Sequence, residues 1–347
     1  MSRRKQIWWI VVAAAITFFF MSSLVQAYGQ DNLGKKALFA QQKLVKSQNK
    51  NGTWWTFYNF DTIPENLKRE NNFFVGMLIA DLLQPYKNNK LIDSVIDETL
   101  KFSYQNLNPE NGFLKYFKRI KAMPEDSDDT GLFWYLAQSV DTGFVLQVID
   151  SLKKYKTNTG LYLEWLKKGG IKNMPQAGIN PETVEIIPNI HVFLFLAKYD
   201  TISARELCKC LQAEGVVSNP EYWVYYYKAP WLYYLRQADM VRNNCSIKSN
   251  LPDTVKGPVS QNHYVLISKL IRDLSLNNIT PGQEVEIRRI LRQLSNNNFE
   301  YIKSNPILIY HSDLTSRSPA YFWSFDLPYA LWLRLYYEYN SRLTKKK

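Results

Sequence analysis

Four carboxylates fall within five residues, at Glu125, Asp126, Asp128 and Asp129. Crowded carboxylates cannot all ionise cheaply, so they titrate as a coupled set and at least one holds its proton above the usual range. In a dry aromatic pocket a protonated Asp can give that proton to an alkene or an epoxide. The resulting cation needs π-faces beside it, and the chain is 15% aromatic with ten Trp. Trp54, Trp55, Trp134, Trp223, Trp231 and Trp323 are the candidates. Two other chemistries suit the same acids. Asp128, Asp129 and Thr130 stand directly before GLFWYLA, where they would cap a helix and complement its dipole. A calcium ion would also take such oxygens, although the regular Asp/Gly spacing of a calcium loop is missing.

Other reactive groups are sparse. His191, in PNIHVF, reads either as a partner or base facing a substrate or as a satisfied core histidine among apolar neighbours. The stripe Tyr222, Trp223, Tyr225, Tyr226, Tyr227, Trp231, Tyr233 and Tyr234 would line a greasy or sugar-binding groove, or simply pack a core. Cys208 and Cys210 lie in ELCKCLQAE and point to different helix faces, so Cys245 can pair with one of them. Three cysteines with His191, His263 and His311 show no zinc spacing. GxSxG nucleophile turns and Gly-rich phosphate loops are absent, and neither a metal nor a cofactor is expected.

The elements that must position these groups are helices. Apolar residues recur at i, i+3, i+4 or i+7 over Lys36–Ser47, Phe73–Leu83, Leu91–Tyr104, Thr130–Ser139, Gly143–Tyr155, Glu185–Tyr199, Ala204–Glu214, Tyr222–Ala238, Gln261–Leu274, Glu284–Leu294 and Phe325–Tyr339. Alternating Val/Ile/Thr runs are few, so the fold class expected is all-α. The turns echo one another: QNKNGTW around Gly52, QNLNPENGF around Gly112 and NTGLY around Gly160, the glycines 60 and 48 residues apart. That period is one helical hairpin with its loops, the mark of a repeat architecture. No low-complexity linker divides the chain, and residues 28–347 read as one domain.

The first residues differ. Arg3, Arg4 and Lys5 precede an uncharged stretch from Ile7 to Ala27, and Val25-Gln26-Ala27 offers a small-x-small site. Residues 1–27 therefore read as a cleaved signal peptide with mature start Tyr28, or as an anchor through residues 7–27. Either places the body outside the cytoplasm, periplasmic or secreted. Net charge is +12, or +9 without those three residues. This is a scattered basic surface that leaves contact with a membrane surface open, while no nucleic-acid-binding motif accompanies it.

Together these features resemble the terpenoid cyclase and protein prenyltransferase superfamily. QNKNGTW resembles the QW motif of squalene–hopene cyclases, and Asp126-Ser127-Asp128-Asp129-Thr130 matches the DxDD(T) pattern of class II terpenoid cyclases. VEIIPNIHVFLFLA and Ser318-Pro319 with FDLPYALWLRLYYEY are similar to further family stretches, so the likeness covers most of residues 30–340. It implies an α/α-toroid, with Asp128 as the acid tuned by Asp126 and Asp129. His191, Trp54, Trp134, Trp223 and Trp323 would lie against the substrate. The chain departs from the larger cyclases in having room for one toroid only, and from prenyltransferases in lacking their zinc ligands.

Three functions follow as expectations: acid-initiated cyclisation of a lipophilic isoprenoid, non-catalytic binding of a lipid, glycan or peptide in the toroid's mouth, or action on a glycan. Export disfavours soluble prenyl diphosphates and leaves a membrane-resident polyprenyl lipid. The partner expected is thus a lipophilic or glycan small molecule; the sequence does not specify an oligomeric state.

Overall fold

The structure, a computed structural model, describes residues 32–87, 89–115, 124–138, 140–167, 180–247, 251, 261–315 and 317–345. The N-terminal segment and the expected start at Tyr28 lie outside them. Helices α1 (32–47), α2 (Phe74–Leu83), α3 (Lys90–Tyr104), α4 (Ser127–Leu136), α5 (Thr142–Lys153), α6 (Ile186–Tyr199) and α7 (Thr201–Gln212) fill the first two thirds. Then follow α8 (Trp231–Arg242), α9 (Asn262–Ser275), α10 (Pro281–Ser295), the short α11 (Glu300–Ser304) and α12 (Leu327–Lys345).

Burial sorts these helices into two shells. All ten residues of α2 are buried, as are nine of ten in α4 and eleven of fourteen in α6. Helices apolar all round belong inside. By contrast α3, α7 and α10 bury one stripe each, such as Ile287, Ile290, Leu291 and Leu294 in α10, and form an outer layer. The packing closes on itself: α2 lies on α4, α4 on α6, α6 on α8, α8 on α9, α9 on α12, and α12 on α2. This is a closed ring of helices with outer partners.

The expected turn repeat is real, and its chemistry is visible at the first copy. Gly52 has φ +80°, and a Cβ there would stand 2.3 Å from the Glu98 carbonyl oxygen, so the turn presses directly on α3. Gln48 Nε2 donates to the carbonyls of Gly52 (3.1 Å) and Val95 (3.0 Å), fastening α1's end to α3. Trp54 then folds back, its indole N–H donating to the Leu44 carbonyl at 3.2 Å. At the second copy Trp134 closes the turn from a distance, its N–H donating to the Gly112 carbonyl at 2.8 Å. At the third, Asn189 of α6 holds Tyr162 by both its N–H (2.7 Å) and its C=O (2.9 Å).

Three expectations are corrected. The fold is mostly helical but not all-α: β1 (Trp55–Asn59), β2 (Lys68–Asn71), β3 (Ile307–His311) and β4 (Tyr321–Ser324) form an antiparallel sheet in the order β2-β1-β4-β3. Because β1 pairs with β4, the sheet ties the start of the ring to its end. The expected helix Tyr222–Ala238 begins only at Trp231, because Pro220 and Pro230 interrupt the backbone ladder and leave 223–230 in turns. The helix predicted from Thr130 starts three residues earlier, at Ser127. Among the described residues no helix is long and apolar enough to cross a membrane.

Cys208 of α7 pairs with Cys245, 37 residues away, and Cys210 is free and half-buried. Closing a loop of that length restricts the unfolded chain. Reduction is expected to lower stability by about 2–4 kcal/mol, seen as a lower melting temperature in dithiothreitol. A second expectation concerns Gly131, where α4 meets α6: a Cβ would stand 2.8 Å from both the His191 carbonyl carbon and the Val192 nitrogen. Gly131→Ala should cost about 1–3 kcal/mol by overpacking, measurable as a melting temperature several degrees lower.

Candidate active site

The close approach at Gly131 brings the first turn of α4 against the middle of α6. Asp126 is the helix cap: its backbone is extended and its carboxylate accepts the Asp129 N–H at 2.6 Å. The capping role thus falls to Asp126, and not to Asp128, Asp129 or Thr130 as the alternative reading had it, while Asp126 stays close enough to Asp128 for the two to interact. Asp128, one residue into the helix, is free to turn inward. Its Oδ1 meets His191 Nδ1, and its Oδ2 accepts the Tyr226 hydroxyl.

His191 is held in turn. Arg236 Nε donates to His191 Nε2 at 2.7 Å, which makes Nε2 the acceptor and leaves the proton on Nδ1, facing Asp128. Burial lowers the imidazole's pKa, so it stays neutral, and Asp128's attraction only partly offsets this. Arg236 is fully buried, and one guanidinium nitrogen donates to Asp81 and Asp239 at 2.7 Å each. These two carboxylates outweigh the desolvation of the guanidinium and keep it charged. His191 is wholly buried, and its two ring nitrogens contact Asp128 and Arg236.

More acids surround Asp128 than the sequence singled out. Glu164 sits beside the Asp126–Trp165 bridge, with its carbonyl accepting the Ser127 N–H at 2.8 Å. Glu185 stands at the start of α6 and accepts the Tyr225 N–H through Oε1. Burial pushes the carboxyls of Asp126, Asp129, Glu164 and Glu185 well above the ordinary range, and the charge of Asp128 adds to the rise in each. Neutral acids thus pack around one carboxyl that is bonded on both oxygens.

Aromatic rings face the same spot. Phe74 lies 6.2 Å from His191, 6.3 Å from Tyr226 and 6.0 Å from Tyr310, centroid to centroid. Tyr310 stacks on Phe322 at 4.5 Å, and Phe322 on Tyr58 at 5.9 Å. The tryptophans expected beside a substrate have a structural part. Trp54, Trp134, Trp223 and Trp323 are 0–1% exposed and spend their N–H groups on Leu44, Gly112, Val217 and Asn59. These bonds lock turns and strands. The lining rings were legible only in part: Tyr226 falls in the sequence stripe, whereas Phe74, Tyr310 and Phe322 come from elements with no chemical signature. Glu164 and Glu185 each stand as a lone acid in an apolar run, LYLEWL and VEII, and that was the available signal.

Among the described residues no group of three or more His, Cys, Asp or Glu is arranged for a metal ion. Asp126 and Asp128 spend oxygens on Asp129, His191 and Tyr226, which argues against calcium here. What the arrangement can do is set both oxygens of Asp128 against fixed donors, Nδ1–H of His191 and the Tyr226 hydroxyl, and stabilise an anion there.

Asp129 offers a test of the neutral-acid surroundings. Both its oxygens are buried without a hydrogen-bond partner, and its folded pKa is raised. The unfolded chain ionises this acid near pH 4 while the folded one keeps its proton, so wild-type stability falls as pH rises toward the folded value. Asp129→Asn removes that loss. The variant's melting temperature should exceed the wild type's by more at pH 8 than at pH 4, and a pH-independent difference would show that burial does not hold this acid neutral.

No known sequence family and no curated protein matches this chain. Solved structures do. The type II terpene cyclase MstE from Scytonema, as a variant in complex with the substrate geranylgeranyl dihydroxybenzoate, superposes with a TM-score of 0.60 at 12% identity over 90% of this chain and 99% of that one. A second MstE variant, with the product merosterolic acid A, gives 0.58 at 11% identity over 89% and 98%. The unliganded enzyme gives 0.57 at 10% over 89% and 98%. With the DSDDT segment opening an inner helix of a closed ring, this chain has the terpenoid cyclase-like fold.

Proposed function

We propose that the protein is a class II-type cyclase that starts its reaction by protonating a lipophilic isoprenoid, with Asp128 as the acid. The observation that carries this reading is the double hold on Asp128, by a neutral His191 of fixed tautomer and by Tyr226. The O–H bond at Asp128 breaks, a C–H bond forms at the terminal alkene carbon, and the electron pair stays on the carboxylate. His191 N–H and Tyr226 O–H then bond to a full anion and strengthen as charge develops. The tertiary cation is taken up by the next alkene within the chain, and loss of a proton at the end makes the conversion an isomerisation. Phe74, Tyr226 and Tyr310 offer the π-faces that a cation requires.

Similar structures support a lipophilic ligand, since MstE binds a geranylgeranyl compound. The N-terminal signal or anchor pattern and the Cys208–Cys245 disulfide support an extracytoplasmic setting, because such bonds persist in oxidising compartments. A membrane-resident polyprenyl lipid is then the substrate class within reach.

Asp128→Asn separates acid from architecture. Asn can still accept from His191 and donate to the Tyr226 oxygen, and Asp126 supplies the cap, so the fold survives. Turnover of a geranylgeranyl or longer polyprenyl substrate, followed by mass spectrometry and retention shift, should fall by about 10²–10⁴-fold or more, with the melting temperature nearly unchanged. An Asn variant as active as wild type would sink the proposal; wild type that binds the lipid and converts none would leave a binding protein.

A further inference from the structure

We propose that Glu70 sorts substrates by the charge at their polar end, admitting a neutral hydroxyl or amide head in preference to a carboxylate or phosphate one. The inference rests on the isoprenoid reading above for the apolar tail. It starts from where the sheet places this side chain. Glu70 in β2 pairs with Thr56 in β1, and strand alternation puts both on the face that carries Tyr58, Phe322 and Tyr310. Those rings run outward from the acid. Tyr226, which bonds Asp128, lies 6.3 Å from Tyr310; Tyr310 stacks on Phe322 and Phe322 on Tyr58; Tyr58 meets Phe60 at 6.1 Å. The path runs from a buried Tyr226 to Phe60, exposed at 57%. A long apolar molecule with its reacting alkene at Asp128 lies along these rings and leaves its other end beside β1 and β2.

Glu70 is fixed there. Asn72 Nδ2 donates to Glu70 Oε1 at 3.1 Å and to Thr56 Oγ1 at 2.8 Å, and Asn72 Oδ1 reaches the Val75 N–H in the first turn of α2. The carboxyl is therefore set relative to Phe74, the ring that packs against His191 and Tyr226. Charged and titratable groups among the described residues flank Glu70. Lys68, on its own strand, lies over the Phe60 ring at 5.8 Å, and Arg69 faces the other side, 5.9 Å from Trp55 and from Phe57. Tyr58 and Tyr310 come from the neighbouring strands. Burial pushes the Glu70 carboxyl up to about 7, with the Asn72 hydrogen bond working against the rise. Above that pH the group is an anion in a half-buried apolar setting, where it accepts from a hydroxyl or amide and repels a second anion. Below it, the neutral acid tolerates both.

The test uses the purified protein with two matched lipids, geranylgeraniol and geranylgeranyl sulfonic acid, whose sulfonate stays ionised from pH 6 to pH 8, in the same neutral detergent. Binding is read from quenching of the protein's intrinsic fluorescence at pH 6 and pH 8. The wild type should prefer the alcohol at pH 8, and the preference should shrink at pH 6. Glu70→Gln should reduce the alcohol-to-acid ratio at pH 8 by about tenfold while leaving alcohol affinity within about twofold, and should remove the pH dependence. The wild type alone carries the pH comparison, so a variant that folds poorly does not shield the inference. An equal ratio in both proteins, or a wild-type ratio flat between pH 6 and pH 8, overturns it. Turnover is measured separately: lipids sorted but not converted refute the catalytic reading and leave this one standing. If neither lipid binds, the tail assignment is wrong and this inference falls with it.

Discussion

A neutral imidazole has one nitrogen that donates and one that accepts, and at His191 the choice is made by Arg236. Its Nε–H points at Nε2, so the remaining proton must sit on Nδ1 and face Asp128. Were the tautomer reversed, two acceptors would meet at Asp128 Oδ1 and two donors at Arg236. Arg236 can act this way only because it stays charged inside the ring, and that depends on Asp81 from α2 and Asp239 from its own helix. Removing one member of a buried pair strands the other charge, at a cost of about 3–5 kcal/mol. The acid is therefore coupled through two further residues to three inner helices, and its geometry is as rigid as the ring.

The same accounting explains why so many carboxyls are tolerated in one place. Asp126, Asp129, Glu164 and Glu185 are all buried, and burial raises the pKa of each. Were all four ionised, desolvation and mutual repulsion would exceed what a domain of marginal stability tolerates. Held neutral, each can donate as well as accept, and the surroundings of Asp128 become polar without becoming charged. A charge at Asp128 then stands in a setting already supplied with donors, the His191 N–H and the Tyr226 O–H.

The sequence made much of this readable and concealed the rest for definite reasons. The inner helices announce themselves by length and periodicity, and the Gly52, Gly112 and Gly160 turns by their echo; all three glycines take positive φ. DSDDT marks the acid because four carboxylates before an apolar helix are conspicuous. It does not say which of them caps, since Asp126 and Asp128 differ only in which side of the first turn they occupy. The sheet was missed because its strands are four or five residues long and its central pairing, β1 with β4, joins residues more than 250 positions apart, as Tyr58 with Phe322. Pattern reading is local, and such a pairing leaves no local trace. The helix expected over Tyr222–Ala238 failed because an aromatic run has helical spacing by chance, and Pro230 decides the start. Tryptophans read two ways for a related reason: a large ring with one N–H is as useful for locking a turn as for meeting a cation.

That sheet, invisible in the sequence, has a particular place in the chemistry. A ring of helices alone surrounds the acid with side chains that come from the helices' inner faces. Adding β1 and β4, drawn from opposite ends of the chain, puts Tyr58, Phe322 and Tyr310 in a row that begins beside Tyr226 and ends at solvent. Directly paired residues on neighbouring strands share one face at a spacing near 5 Å, so rings on β1, β4 and β3 follow one another along the pairing direction as a continuous apolar track. The pairing of Phe57 with Trp323 and of Tyr58 with Phe322 fixes the register of that track, and a slip of one residue would turn Tyr58 and Phe322 away from it. Trp323 guards the register from the other face by donating to Asn59 at 3.2 Å. The tryptophan expected to touch the substrate thus holds in place the strands whose rings face the acid.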